Sequence, residues 1–437
     1  MIIKNVTVID GAGGPPQPGR DVHIEDGRFV DIRPARMKTA ENSSKATGPA
    51  VLDGSGSYLI PGLWESHTHL TGMSMSVPVT DRPAFIHSAL TGYVKTGVTS
   101  VCELGGPTNA MRRLRAASQA NPSTPSLYFA GRSFTGVNGW PLSAVRGTVP
   151  NGTGENPGIV PSVEIDSVDS ARWLLADQLG EIDYVKCIYD GKNDTGKLPL
   201  VALKAMVADA HRANKKVLVH IATGADLRDA VAVGADCIEH SFIPADPADE
   251  REAAQIAELL AETGTLYCPT IVTWEQLART GEPAYLEELA TSGILSADDI
   301  ATVAARTSWG EPFPQHPIAE SKIRFDYTMR TLHLFHEAGV KLVAGSDVPL
   351  AVTTPALALL RELQLFAMAG IPGSDIITAA TSHAATKIGK QGTVGTVTIG
   401  AVADAILLDA NPLTDIARLT NSRHRRAVIK DGELVLR

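Results

Sequence analysis

The chain has 437 residues, of which 44% are hydrophobic, and its formal net charge is −9. This length suits one large domain with insertions, and the apolar fraction is sufficient for a large core. The acidic balance argues against nucleic-acid binding, and the lack of a run of about 18 apolar residues argues against a membrane-spanning helix. The N-terminal segment alternates like a strand and lacks the pattern of a secretory signal, so we expect a cytoplasmic protein. The four cysteines stand far apart in apolar runs, which is typical of buried thiols in a reducing compartment.

Both ends of the chain predict short antiparallel strands separated by Gly, Pro and Asp turns. The alternating segments are residues 2–9, 21–25, 28–32 and 51–52 near the N terminus, and 393–397, 405–408 and 427–436 near the C terminus. Because these strand-rich ends flank a middle of different character, we predict that residues 1–61 and 385–437 together form a small β-sandwich domain.

The middle of the chain alternates strand-like and helix-like stretches, which is typical of parallel strands. Strand-like runs precede His67 and recur at residues 98–103, 126–130, 183–189, 216–221, 236–240, 265–270 and 341–346. Helix-like stretches between them include residues 198–213, 225–233, 248–263 and 318–338. Eight such units predict an α/β fold, a (β/α)8 TIM barrel over residues 62–384. A doubly wound open sheet is the alternative, but no Gly-rich phosphate loop opens the first helix.

Two connections are longer than loops between barrel elements usually are. One covers about residues 132–167 and is rich in Gly, Pro and Asn. The other covers about residues 271–317, and we expect it to hold short helices of its own. Both follow strand ends, which line the active-site face of a barrel. We therefore expect these two connections to form the walls of a substrate pocket.

Six residues that can bind a metal or titrate lie in or directly after the predicted strands: His67, His69, Lys186, His220, His240 and Asp347. A strand alternates its faces, so His67 and His69 point the same way and Thr68 points the other way. A barrel brings the C-terminal ends of its strands to one mouth. Neutral imidazoles that converge there favour a site for a divalent transition metal.

Lys186 is unusual because an ammonium inside a barrel strand is costly to bury unless it is paired or changed. Three interpretations are open. The lysine could form a structural ion pair, or a desolvated amine could act as a nucleophile, for example through a Schiff base. Alternatively, CO2 could carboxylate the amine and give an anion that is able to bridge two metals.

Several segments together resemble the amidohydrolase superfamily in its binuclear, carboxylated-lysine form. They are Leu-Ile-Pro-Gly-Leu-Trp-Glu-Ser-His-Thr-His at 59–69, Asp-Tyr-Val-Lys at 183–186, Val-His at 219–220, Ile-Glu-His at 238–240, Gly-Ser-Asp at 345–347 and Gly-Ala-Val-Ala-Asp-Ala at 400–405. The lysine on strand four and the spacing from His220 to His240 are most similar to the branch with prolidase-like and aryl-amide- or carbamate-cleaving members. The resemblance covers nearly the whole chain and is specific for the superfamily rather than for a substrate.

The resemblance implies a role for each of these groups. It assigns His67, His69 and Asp347 to the more buried of two divalent metal ions. The histidines of strands five and six would hold the second ion, and a CO2-derived carbamate on Lys186 would bridge the two. Zinc is the expected metal, with manganese, cobalt or nickel as alternatives.

The implied reaction is hydrolysis of an amide-like C–N bond in a small molecule, such as a dipeptide, an N-acyl amino acid, an anilide or a carbamate. A metal-bridging hydroxide would attack, and Asp347 would shuttle the proton to the leaving nitrogen. Asp347 and Lys186 are thus the expected catalytic residues. Because barrels of this kind often associate, we also expect a homo-oligomer.

Four further residues are candidates for substrate binding: Tyr189, Trp140, Trp274 and His316. Tyr189 ends strand four and could donate a hydrogen bond to a tetrahedral oxyanion. Trp140 stands where relatives often carry Gly-Gly-His, whereas residues 135–141 contain no histidine. Trp274 follows strand seven, and His316 lies in the second long connection.

Other functions are open at this point. A mononuclear-metal deaminase of a heterocycle would need a carboxylate a few residues after His220, and residues 221–224 contain none. A lactone or ester hydrolase could use the same metal site. A non-enzymatic scaffold that has lost its site is disfavoured because all six metal-capable or titratable groups are present.

Overall fold

The computed structural model describes residues 1–35, 50–70, 82–145, 162–192, 196–279, 282–291, 317–347 and 355–436. Of the predicted site residues, His316 lies outside this part of the chain. The two long connections are described only in part.

The strands, in chain order, are β1 (Ile2–Val8), β2 (Gln17–Glu25), β3 (Arg28–Pro34), β4 (Val51–Asp53), β5 (Tyr58–Pro61), β6 (Leu63–Thr68), β7 (Val98–Glu103), β8 (Ser126–Phe129), β9 (Ser133–Gly136), β10 (Ser162–Ile165), β11 (Val185–Tyr189), β12 (Val217–Ile221), β13 (Cys237–Glu239), β14 (Leu266–Cys268), β15 (Ala405–Leu408), β16 (Arg425–Lys430) and β17 (Glu433–Leu436). The helices are α1 (Arg82–Lys95), α2 (Thr108–Gln119), α3 (Leu142–Val145), α4 (Val168–Gln178), α5 (Leu200–Arg212), α6 (Gly224–Ala232), α7 (Arg251–Thr263), α8 (Ile271–Ala278), α9 (Pro283–Thr291), α10 (Ile318–Glu337), α11 (Pro355–Met368), α12 (Gly373–Ala379), α13 (Ser382–Lys387) and α14 (Ala417–Thr420).

The two ends of the chain meet in one mixed sheet of eight strands, with the order β17-β16-β15-β5-β1-β2-β3 and with β4 beside β1. The antiparallel pair of β5 and β15 joins the N-terminal strands to the C-terminal ones. Apolar residues from both ends, among them Ile3 and Leu407, pack into a core of their own. The small β domain built from both termini is therefore confirmed, and its described strands form a single sheet. The limits predicted for it, residues 1–61 and 385–437, stay a prediction.

The middle of the chain forms the barrel from parallel strands. β6, β7 and β8 pair in parallel, and so do β11, β12, β13 and β14. The third strand is interrupted, because β8 pairs with β7 whereas β9 pairs with β11 through Phe134 and Cys187. The backbone N–H of Asp183 also donates to the Phe129 carbonyl at 3.0 Å, which links strands three and four.

The segment that begins at Leu342 supplies the eighth strand and closes the ring. On one side, Leu342 bridges in parallel to Tyr267 of β14. On the other side, the backbone N–H of Asp347 donates to the carbonyl of His67 at 2.8 Å. The predicted TIM barrel is therefore confirmed, and the doubly wound sheet is excluded.

Local sequence sets where the helices of the barrel begin and end. At the start of α6, the Thr223 hydroxyl accepts from the backbone N–H of Asp226 at 3.2 Å, and the Asp226 carboxylate accepts from that of Thr223 at 3.0 Å. This capping box fixes the short loop directly after strand five. α7 buries Ile256 and Leu260 on one face and ends at Gly264, whose φ of 70° suits a helix C-cap.

Side chains from around the ring fill the barrel interior, among them Trp64, Cys102, Tyr184, Leu218 and Cys268. The outer faces of the strands pack against the helices in a larger cluster. All four cysteines are free and buried, as predicted. None of the helices in the described part of the chain combines the length and the apolar character that crossing a membrane requires.

Candidate metal centre

His67 and His69, at the end of β6, face Asp347 at the end of the eighth strand. Their Nε2 atoms lie 3.3 and 3.2 Å from Asp347 Oδ1. Thr68 faces the other way, and its hydroxyl oxygen lies 3.4 Å from that of Tyr93, so the predicted alternation is confirmed. The ligand atoms of the two histidines and the aspartate lie within 4.8 Å of one another, which is close enough to share one metal ion.

His220 and His240 stand beside this group. The centroid of the His240 ring lies 4.8 Å from that of His67 and 4.4 Å from that of His220. The Thr270 hydroxyl, 2.9 Å from His240 Nδ1, holds the His240 ring in place. Strands one, five, six and eight therefore bring their predicted residues into one cluster at the barrel mouth.

Three residues at this mouth have left-handed backbone, with φ of 76° at His240, 48° at Thr270 and 57° at Asp347. Residues other than glycine adopt this conformation rarely, and such strain clusters at functional sites. At His240 it changes the direction of the side chain. Cys237 and Glu239 both face the barrel interior, so regular alternation would turn His240 outward. The left-handed residue instead brings the imidazole into the mouth.

Lys186 reaches the cluster from β11. Tyr184, two residues earlier, packs inside the barrel, and Lys186 follows with only 2% of its surface exposed. The Lys186 Nζ has no hydrogen-bond partner among the described residues. Burial lowers the pKa of this amine, against the opposing effect of the charges on Glu239 and Asp347. The structural ion-pair interpretation of Lys186 therefore lacks a partner in the part of the chain that the structure describes.

A buried carboxylate orients His67. Glu239 Oε2 lies 2.7 Å from His67 Nδ1, and Glu239 Oε1 lies 2.8 Å from the ammonium of Lys387. Although burial opposes its charge, Lys387 and His67 hold the pKa of Glu239 well below its usual range. Because an ionised carboxylate can only accept hydrogen bonds, His67 carries its proton on Nδ1 and presents an unprotonated Nε2.

The unprotonated Nε2 of His67 faces Asp347 Oδ1 at 3.3 Å. Both atoms are acceptors, both are buried, and neither has a hydrogen-bond partner among the described residues. Such a pair is unfavourable unless a cation lies between them. Burial also lowers the pKa values of His67, His220 and, most strongly, His240, which favours the neutral imidazole that binds metals. The donor set therefore fits a divalent metal.

A second set of metal-capable groups shares His67 but does not fit a metal. His67, Glu239 and Cys268 also have ligand atoms within 4.8 Å of one another. Glu239, however, already pairs with Lys387, and burial raises the pKa of the Cys268 thiol well above its ordinary value. Since a metal takes the thiolate rather than the thiol, this set supports His67 instead of forming a site.

A charged rim lies beside His220. Asp190, directly after β11, has its Oδ2 3.7 Å from His220 Nε2. Although burial opposes its charge, contacts with His220 and with the backbone N–H of Lys192 lower the pKa of Asp190 to about 2. Lys192 pairs with Glu320 at 2.7 Å, which ties the rim to the first turn of α10. These contacts place one end of α10 at the mouth.

The amidohydrolase family model matches residues 58–435. The chain belongs to the amidohydrolase family. Among curated relatives of this amidohydrolase, an imidazolonepropionase of Alkaliphilus metalliredigens is 22% identical, over 99% of this chain and 96% of its own length. An ochratoxinase of Aspergillus niger is 25% identical, over 86% of this chain and 75% of its own length. A solved structure of a prolidase complexed with N-methylphosphonate-L-proline superposes with a TM-score of 0.75 at 23% identity, covering 100% of this chain and 99% of that chain.

The family assignment confirms the predicted resemblance to the amidohydrolase superfamily. The chain is a metal-dependent amidohydrolase with a TIM barrel, and its structural neighbours include the prolidase.

In this amidohydrolase, Tyr189 does not point into the mouth, which corrects the oxyanion role expected of it. Its hydroxyl lies 2.8 Å from Asp229 Oδ2, and the ammonium of Lys197 lies 4.0 Å from the centre of its ring. These contacts lie on the outer face of β11, opposite to Lys186, because the strand alternates its faces. We therefore leave Tyr189 out of the site.

The other predicted substrate contacts have different outcomes. Trp274 lies beside the cluster, with its indole edge-on to the His240 ring at a centroid distance of 6.5 Å. Trp140 is half-buried after β9, where its carbonyl accepts from the Thr135 hydroxyl at 2.8 Å. A substrate contact by Trp140 stays a prediction, and His316 lies outside the described residues.

Sequence reasoning missed Glu239 as the partner of His67, and it missed Lys387 and Arg324 altogether. Glu239 had an available signal, since it directly precedes His240 in the segment Ile-Glu-His. Lys387 and Arg324 carry no local signal, because only the closed barrel brings Lys387 into its interior beside Glu239 and Arg324 to its mouth.

Proposed function

We propose that this amidohydrolase is a binuclear zinc hydrolase that cleaves an amide-like C–N bond in a small molecule. The observation that carries the proposal is the pair of facing acceptors, His67 Nε2 and Asp347 Oδ1, which lie 3.3 Å apart in the barrel mouth. A cation between them would relieve their repulsion. The neighbouring imidazoles and the buried amine of Lys186 would extend this position into a site for two ions.

The proposed ligands divide into two groups. His67, His69 and Asp347 would hold the more buried ion, since their ligand atoms lie within 4.8 Å of one another. His220 and His240 would hold the second ion, since their ring centroids lie 4.4 Å apart. Imidazole and carboxylate donors suit zinc, and they also accept manganese, cobalt or nickel.

Lys186 would join the two ions as a carbamate. In this modification the Lys186 ammonium first loses one proton, the neutral amine then attacks CO2, a C–N bond forms and a second proton leaves, so that a cation becomes an anion with two donor oxygens. Burial supports the first step, because it lowers the pKa of Lys186 and raises the fraction of neutral amine. The modification would also remove a positive charge that acts on the buried His220 and His240 rings.

When bound, the two ions would acidify a water molecule and polarise the substrate carbonyl. Asp347 would move the proton, taking it from the attacking water and giving it to the leaving nitrogen. Although burial opposes its charge, the metal ions bound beside it would hold the pKa of Asp347 low. The carboxylate is therefore ionised and able to accept a proton at neutral pH.

The choice of an amide-like bond draws on the names of similar proteins, an ochratoxinase and a prolidase. Dipeptides, N-acyl amino acids, anilides and carbamates are the classes to test. Deamination is disfavoured, because the next carboxylate in sequence after His220 is Asp226. That group caps α6 and pairs with Lys197, so it is committed to the scaffold. A lactone or ester hydrolase would use the same ligands. Including lactones and esters in the screen distinguishes this activity from amide hydrolysis.

Metal analysis and a substrate screen on one preparation test the proposal. We expect two zinc ions per chain, hydrolysis of at least one amide class, and a carbamate carbon signal after equilibration with carbon-13-labelled bicarbonate. Lys186→Met should lose the carbamate signal, the second ion and most of the activity. The control Lys322→Met removes an exposed lysine that pairs with Asp326, and it should retain all three.

Two results would contradict the proposal. One is a single metal ion per chain together with an unmodified amine at Lys186. The other is trapping of Lys186 by borohydride in the presence of a carbonyl substrate, which would show a Schiff base instead of a carbamate.

A further inference from the structure

Arg324 projects from α10 to the barrel mouth and is buried, with 3% of its surface exposed. One of its Nη atoms donates to the carbonyl of Ala222 at 3.1 Å, two residues after His220. The carbon at the centre of its guanidinium lies 3.9 Å from the centroid of the Trp274 ring. The same indole meets the His240 ring edge-on, with their centroids 6.5 Å apart. Trp274 thus connects Arg324 to a proposed ligand of the second ion.

The charge of Arg324 is not balanced by a carboxylate in the described part of the chain. Its Nε is buried there without a hydrogen-bond partner. The acids nearby are engaged elsewhere, since Glu320 pairs with Lys192 at 2.7 Å and Asp190 faces His220 at 3.7 Å. Burial outweighs their attraction and lowers the pKa of Arg324 to about 10. Because a buried cation without a counter-ion is costly, a site that retains one calls for an anion from outside.

The geometry of a guanidinium selects the anion. Its five N–H donors form a planar fork that matches the two oxygens of a carboxylate. The guanidinium lies over the Trp274 ring, which restrains the fork, and its Nε has no hydrogen-bond partner among the described residues. The hydrogen bond to Ala222 uses one of the five donors. A carboxylate that enters the mouth would therefore meet a cation that is already oriented.

We propose that Arg324 binds the free carboxylate of the substrate, so that this amidohydrolase acts on peptides or N-acyl amino acids with a free α-carboxylate. The inference rests on the proposed function, because it assigns the substrate class of the same site. In such a substrate a single Cα separates the scissile nitrogen from the carboxylate, a span shorter than one residue. A C–N bond held at His220 and His240 would place the carboxylate towards Trp274 and Arg324.

Matched acids and carboxamides test the proposal on the metal-loaded, full-length enzyme. A panel of N-acetyl-amino acids is compared with the corresponding N-acetyl-amino acid amides. We expect the wild type to favour the acids in kcat/KM by roughly 30- to 1,000-fold, the usual effect of a charged partner in a buried site. Arg324→Met should lose that preference while changing kcat/KM for the amides by less than about 3-fold. Arg324→Lys keeps the charge without the fork, and it should retain part of the preference.

Arg330→Met is the matched control. Arg330 lies on the same helix and places its guanidinium over Tyr327 at 5.7 Å, but its side chain is half-exposed and contacts Pro247 and Glu250 instead of Trp274. This variant should retain the acid preference and the wild-type kcat/KM for both members of each pair.

Calorimetric binding of the same acids and amides separates this inference from the proposed function. Acid-selective binding that Arg324→Met abolishes would support the carboxylate site even if no amide bond were cleaved, and only the proposed function would then fail. Wild-type hydrolysis of amides or neutral anilides as fast as of the acids would keep the proposed function and overturn the carboxylate site. An equal loss on acids and amides in Arg324→Met would also overturn it, because it would show a purely structural role. If Arg324→Met does not fold, the acid preference in kcat/KM of the wild type and of Arg324→Lys still tests the proposal. A wild type without acid preference would contradict it.

Discussion

Replacing Glu239 by glutamine removes one charge from the buried contact with Lys387 while keeping the size of the side chain. Neither side chain has any exposed surface, and the charged atoms lie 2.8 Å apart. At an effective dielectric constant of about 20, this separation gives a Coulomb attraction of roughly 6 kcal/mol. The variant would leave the Lys387 ammonium with the Ser66 carbonyl, 2.8 Å away. We expect Glu239→Gln to lower the free energy of unfolding of the metal-free protein by about 3–5 kcal/mol, the usual effect of stranding one buried charge.

The double variant Glu239→Gln/Lys387→Met removes both charges. It should recover most of the lost stability, because no uncompensated ion stays in the barrel. Zinc affinity should not recover with it. An amide is a weaker acceptor than a carboxylate for the Nδ1 proton of His67, so we expect a loss of about 10-fold in zinc affinity in the single and the double variant.

Urea unfolding of the wild type, both single variants and the double variant gives the midpoints and slopes for this cycle. Chelator competition gives the zinc affinities of the same proteins. The control Glu181→Gln removes an exposed pair with Arg112, at 3.1 Å, and should change the free energy of unfolding by less than about 0.5 kcal/mol. The reasoning is refuted if Glu239→Gln stays within about 1 kcal/mol of the wild type, or if the double variant is no more stable than Glu239→Gln.

Three further outcomes test the site and the core. Asp347→Asn should lower kcat by roughly 10²- to 10⁴-fold in samples of known metal content, and an unchanged kcat would exclude the proton-shuttle role. Chelation of the metals should lower the Tm by several degrees and added zinc should restore it, whereas a constant Tm would mean that no ion stabilises the fold. Burial raises the pKa of Glu362 from 4.5 to about 8. The stability that its protonation contributes is therefore fully present below pH 4.5 and is lost as the pH rises through 8. Glu362→Gln replaces one of two oxygens that accept from the backbone N–H groups of Ile271 and Val272, so it should be less stable than the wild type at pH 5. This deficit should shrink by up to about 4 kcal/mol between pH 5 and pH 9 in paired melts, and a difference independent of pH would contradict this assignment.

Regular hydrophobic periods make most of the barrel predictable. The strand predicted at 216–221 is Val217–Ile221, because buried strands read as short apolar runs between turns. The long connection predicted over about 271–317 was expected to hold short helices, but the sequence did not place the helix Ile271–Ala278 within it. All eight residues of this helix are buried, so it lacks the amphipathic period that marks a helix on a protein surface.

The sequence predicts which positions form the candidate site. It does not predict the direction of every side chain, nor the residues that hold the ligands in place. Two-residue alternation predicts that His67 and His69 share a face, and they do. The same rule fails at His240, where a φ of 76° reverses the side chain. Lys387 reaches the barrel interior and Arg324 the mouth, both from helices, so their positions depend on tertiary packing that no local pattern encodes.

The sheet built from both termini and the Glu239–Lys387 pair each need residues that are made late in synthesis. Chains fold from the N terminus as they emerge from the ribosome. β5 then exposes an open strand edge until β15 is made, and Glu239 lacks its counter-charge until Lys387 is made. A polypeptide released just after Asp347 would contain every proposed ligand but would lack β15 and Lys387. Full affinity for the ions would thus depend on a C-terminal stretch that contains none of the proposed ligands.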